Sequence, residues 1–131
     1  MANPNIVSVS AIYGNTTYYT PSGTTAVVLL PNAASSGKVF KINQIMIANT
    51  DASATVNATV SIYTNGAVAQ GSAPSGGTAY PIAYTIAVPA NAALVVCDKT
   101  TMFYLQEGTS ISIISSVANK LTFTVSYEDI S

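Results

Sequence analysis

The sequence predicts an all-β fold: an antiparallel two-sheet sandwich, jelly-roll-like, of about eight or nine strands. Three observations carry this. Apolar residues recur with period two in three separate runs, the signature of strands with one face turned inward. Candidate strands follow one another at roughly 8 to 12 residues with turn chemistry between them. No helix of normal length fits between those turns, and that argues against a parallel α/β architecture.

Taken in order, residues 6–13 and 24–30 are rich in Ile, Val, Thr and Tyr and read as the first two strands. Residues 38–48 change apolar phase, with Phe40 and Ile42 on one parity and Ile45 and Ile47 on the other. Asn43-Gln44 therefore marks a bulge or a passage between sheets. Val56, Ala58, Val60 and Ile62 alternate with Thr55, Asn57, Thr59 and Ser61, a strand with one buried face. Tyr80, Ile82, Tyr84, Ile86 and Val88 repeat the pattern, as do Leu121, Phe123, Val125 and Tyr127. Tyr80, Tyr84 and Tyr127 share parity with aliphatic neighbours and are expected in the core or at a sheet edge. Residues 93–98, 101–105 and 109–115 complete the set.

The connections have turn chemistry at Pro31-Asn32 through Gly37, at 49–53, at Pro89-Ala90-Asn91, at Glu107-Gly108 and at Ala118-Asn119. The exception is residues 65–79, with Gly66, Gly71, Pro74, Gly76 and Gly77; a connection of that length in a small domain is functional or mobile. Residues 1–5 are polar with a proline and read as a flexible N-terminal arm, leaving 6–131 as one sandwich domain.

Composition narrows function by exclusion. The 131 residues are 49% hydrophobic but only 7% charged, against about a quarter in an average soluble domain. Polar surface must come from Ser, Thr and Asn. The four basic residues, Lys38, Lys41, Lys99 and Lys120, are scattered, whereas nucleic-acid affinity needs clustered phosphate contacts, so no nucleic-acid partner is expected. A formal charge of −1 leaves self-association unopposed. Without histidine there is no Ser-His-Asp or Cys-His machinery and no imidazole metal ligand. No stretch reaches the roughly 18 apolar residues of a membrane span, and residues 1–13 lack the basic and apolar regions of a signal peptide.

Individual site candidates reduce to structural residues. Cys97 beside Lys99 suggests a lowered thiol pKa, but it ends the apolar run Leu94-Val95-Val96 and reads as a small buried hydrophobe. Asp98 and Glu107 as a glycosidase-type acid pair lack any specific spacing, and both adjoin turns. There is no acid-rich calcium loop, phosphate loop, dinucleotide fingerprint or nucleophile elbow. Asn15-Thr16-Thr17 and Asn57-Ala58-Thr59 match the glycosylation pattern but read as strand and turn residues. No enzyme, metal or cofactor is expected. What remains is aromatic: eight tyrosines and no tryptophan, with Tyr18 and Tyr19 adjacent so that one of them faces outward in an extended chain.

Residues 80–83, 88–96, 105–111 and 125–131, with the segment Ser36-Gly37-Lys38-Val39-Phe40-Lys41-Ile42, resemble the small β-sandwich virion proteins of tailed bacteriophages, marine and cyanobacterial ones in particular. The resemblance covers most of the chain from about residue 35. It implies a non-catalytic virion subunit, made in the host cytoplasm, that contacts a major capsid, neck or tail protein and associates as a homo-oligomer. A capsid decoration or other exterior accessory role is the leading expectation; a neck, tail or baseplate component and a glycan-binding adhesion module are the alternatives. Expected contact residues are Asn3, Pro4, Tyr18, Tyr19, Val68, Gln70 and Pro74.

Overall fold

The computed structural model describes residues 4–131. Nine strands form: β1 (Ile12–Tyr19), β2 (Val27–Asn32), β3 (Val39–Asn49), β4 (Val56–Tyr63), β5 (Ala79–Val88), β6 (Ala93–Cys97), β7 (Phe103–Leu105), β8 (Thr109–Ser115) and β9 (Leu121–Ile130). They make two antiparallel sheets, one ordered β1-β9-β3-β6 with short β7 also on β3, the other ordered β2-β8-β4-β5. With β7 set aside, the first strand pairs with the last, the second with the next to last, the third with the sixth and the fourth with the fifth. This nested pairing is the jelly roll. The expected fold class is therefore the observed one.

The inner faces supply one core, including Leu29, Ile42, Ile45, Ile47, Ile113 and Phe123, all without solvent exposure. The phase change in β3 is a bulge: its register against β9 shifts between Ile42 and Gln44. One extra residue there brings Ile42, Ile45 and Ile47 onto the same inward face, and the strand stays in one sheet. The predicted turns contain left-handed residues, with Gly37 at φ 71°, Asn91 at 57°, Gly108 at 75° and Asn119 at 61°. Gly and Asn tolerate that region best.

Three expectations are corrected. The first strand runs from Ile12, not across 6–13, because residues 5–8 close a turn in which Val7 N–H donates to Asn5 Oδ1 at 2.9 Å. Ile6 and Val7 are left exposed, and pairing starts only at Ile12 opposite Ile130. Pro31 and Asn32 end β2 rather than open the turn. Finally, β4 buries both faces in its middle: Val56, Ala58 and Val60 face the core, while Thr59 and Ser61 are covered as well. Thr59 Oγ1 is occupied by the Thr85 N–H of the neighbouring strand at 3.0 Å.

Two buried asparagines join the sheets at opposite ends of β3. Asn32, on β2, donates to the carbonyls of Lys38 and Leu105, each at 3.0 Å, and accepts the Ser36 hydroxyl at 2.6 Å. Asn49, at the far end of β3, donates to Ala54 and Val88 carbonyls at 2.9 Å and accepts Asp51 N–H at 2.9 Å. Each satisfies backbone groups that the strand ladders leave over.

Candidate interaction surface

The residues with chemical potential are held in structural roles. Cys97 is buried opposite Ile45 on β3. Burial pushes its thiol pKa up and the charge of Asp98 adds to the effect, opposite to what a nucleophilic thiolate needs. Asp98 closes an exposed turn: its Oδ1 accepts the Thr100 hydroxyl at 2.6 Å and the Thr100 N–H at 2.9 Å. Those bonds hold its carboxyl below the usual carboxylate range. Among the described residues, no three His, Cys, Asp or Glu side chains gather as metal ligands, and no helix is long and apolar enough to cross a membrane.

Asn3 lies outside the described residues. Pro4 is half-buried and, with Ile6, Val39, Phe103, Tyr104 and Gln106, lines an open depression of about 600 Å³. Tyr18 projects outward at 69% exposure, whereas Tyr19 is half-buried and packs on the core. The loop 65–79 does not stand away from the domain. Gly71 N–H donates to Val28 carbonyl at 2.8 Å, Val28 N–H donates to Ser72 carbonyl at 2.9 Å, and the Gly71 backbone lies against the Tyr19 ring. Gln70 Nε2 donates to both Leu29 carbonyl and Thr17 Oγ1, at 2.8 and 3.0 Å. The loop thus lies along the outer edge of β2 and ties it to β1 of the other sheet. Val68 and Pro74 are half-buried within it.

The surface also carries exposed apolar residues outside the predicted set. On β5, Tyr80, Ile82, Tyr84 and Ile86 are 60%, 41%, 67% and 40% exposed. The expected edge position of Tyr80 and Tyr84 holds, since β5 ends its sheet, and both side chains are open to solvent. Tyr127 instead packs on the core, its ring centroid 5.0 Å from that of Phe40. On the outer face of the first sheet the register sets Val95, Met46, Thr124 and Tyr18 in one row across four strands. Ile12 and Tyr13 are exposed at the start of β1. No charged residue occurs from 52 to 97, a stretch that contains the whole of β4, β5 and β6. That gap in charge is the sequence signal for the exposed apolar residues of β5, and parity alone hides it.

These features define a class: a jelly-roll domain with exposed apolar side chains on its surface. No family model matches the chain, and no curated protein matches it. Among solved structures, a chain of the T13 IBDV viral particle aligns over 94% of this chain and 32% of its own, at 9% identity and a TM-score of 0.45. A chain of the infectious bursal disease virus Gt strain aligns over 93% and 31%, at 12% identity and a TM-score of 0.28. This chain spans about a third of the length of either virus chain.

Proposed function

We propose that this protein is a non-catalytic structural subunit of a virus particle, a decoration or other exterior accessory protein of a tailed-phage head that works through repeated contacts with the capsid protein and with its own copies. The observation that carries the reading is the exposure of Tyr80, Ile82, Tyr84 and Ile86 together on one uncharged edge strand. Exposed apolar side chains gathered on one strand gain by burial against a partner. The nested jelly-roll pairing supports the same reading, because that architecture recurs in capsid subunits. Near-zero net charge suits dense packing in an array. The arm at 1–5 is proposed to reach a neighbouring subunit.

The test is co-sedimentation of the full chain with empty heads of a tailed phage that encodes it. Saturable binding is expected, weakened at least tenfold by combined Tyr80→Ser, Tyr84→Ser and Ile86→Ser substitutions that leave the circular dichroism spectrum unchanged. Absence of binding to heads, or binding indifferent to these substitutions, overturns the proposal. Deleting residues 1–5 is expected to leave a folded domain that assembles poorly.

A further inference from the structure

Two open sheets have four outer edges, and an open edge offers unpaired main-chain N–H and C=O groups to any extended chain that meets it. Three of these edges are closed, each by a different device. Along β2, Gly71 and Ser72 occupy the main-chain groups of Val28. Along β5, Pro81 removes a donor, the register breaks twice opposite Ala58–Ser61, and Thr85 sits at φ 47°. The opposite edge of the first sheet is split between β6 and β7, five and three residues long, with Asp98 and Lys99 in the turn between them.

The fourth edge has none of these devices. Strand β1 keeps unbroken register with β9 over eight residues, from Ile12 opposite Ile130 to Tyr19 opposite Phe123. It contains no charge and no proline. Its second half lies under Gln70, but all five residues from Ile12 to Thr16 are exposed, and among the described residues no backbone group pairs with their outer side.

We infer that the Ile12–Thr16 edge of β1 pairs antiparallel with the same edge of a second copy of this chain, about a two-fold axis at Gly14, joining two sheets into one across the dimer. The inference deepens the assembly reading by naming a partner, and it rests on that reading. Self-pairing is favoured over another partner on two grounds. A molecule of formal charge −1 with an uncharged edge meets its own copy without repulsion. A strand paired with itself about Gly14 sets Ile12 opposite Thr16 and Tyr13 opposite Asn15, on matching faces and with no like charges opposed. The glycine at the axis is the residue best suited to close approach of two backbones. Such a contact is isologous, and closes at two copies.

The geometry is read by single cysteines in the full chain, since native Cys97 is buried. A Cβ added at Gly14 meets no atom within 4 Å, so Gly14→Cys fits the fold. Across the axis the two position-14 Cα atoms stand about 4.5–5.5 Å apart, within disulfide reach. The two position-16 Cα atoms stand more than about 12 Å apart, beyond it. Under mild copper-phenanthroline oxidation, Gly14→Cys is expected to give at least ten times the disulfide dimer of Thr16→Cys, and light scattering of the unmodified chain a dimer that forms with rising concentration. Equal yields at the two positions, a cross-link favoured at Tyr84→Cys, or a monomer at millimolar concentration overturns the pairing. Binding to phage heads by a chain that fails this test removes the self-pairing alone; a dimer that passes it without binding heads removes the virion role.

Discussion

Asn32 and Asn49 show how much one polar side chain can hold. Each is buried at a strand end and bonds to one carbonyl of the opposite sheet and one of an adjoining loop, so shortening it orphans two acceptors at once. Asn49→Leu is expected to lower unfolding free energy by about 1–3 kcal/mol, the cost of leaving buried carbonyls unpaired, as read from the urea midpoint. A second residue-scale expectation concerns alkali. Burial first, and the charge of Asp129 next, raise the Tyr127 phenol pKa above its usual value. The folded state then holds this proton more tightly than the unfolded chain does. The associated stability is intact below about pH 10 and is lost as pH climbs through the raised value. Tyr127→Phe is expected to flatten the decline of thermal midpoint above pH 10, which calorimetry across pH 9–11.5 reads.

At the scale of elements, what the sequence showed and what it hid divide along local and non-local lines. Alternation located β4, β5 and β9, and the phase change in β3 placed its irregularity at Asn43-Gln44, where the register shifts, because side-chain direction follows backbone period within one strand. The start of β1 was misplaced since Ile6 and Val7 are as apolar as a strand residue, and what decides is the reach of β9, more than a hundred residues away in sequence. The exposure of β5 was hidden for a similar reason: Tyr80 and Ile86 stand opposite Ile62 and Ala58 of the inward parity, yet on an edge strand interrupted by two register shifts they remain open to solvent. Loop 65–79 was recognisable as unusual, and its docking against β2 and β1 depends on partners that no local pattern identifies. Gly66 is its anchor, for a methyl there would meet the Asn32 carbonyl oxygen and come within 2.6 Å of that of Thr109. Both are backbone atoms with little freedom to retreat. Gly66→Ala is therefore expected to cost about 1–3 kcal/mol or more and to expose the β2 edge, seen as faster amide exchange at Val28.

For the molecule as a whole, the sparse charge is arranged rather than merely scarce. Lys38 meets Asp129 at 3.0 Å, Lys41 stands 3.9 Å from Glu128, and Lys120 stands 3.9 Å from Asp51. These pairs lie at the surface with their lysines open to water and contribute modestly to stability. They leave the other faces to hydroxyls, amides and rings, so association driven by those faces is expected to be nearly insensitive to ionic strength: the dimer mass or head-binding isotherm should shift less than threefold between 50 and 500 mM salt.

The nested strand pairing also dictates an order of events in time. Neighbouring β4 and β5 are joined by a short stretch of chain compared with the one separating β1 from β9, so closing the innermost pair loses the least chain entropy and closing the outermost loses the most. Folding that proceeds from β4–β5 outward leaves β1 to dock last, and until it does the edge of β9 stands bare. The slow closing step of the monomer and the strand that meets a second copy are then the same piece of chain, which makes exchange of β1 between two incompletely folded molecules the characteristic folding error of this protein at high concentration.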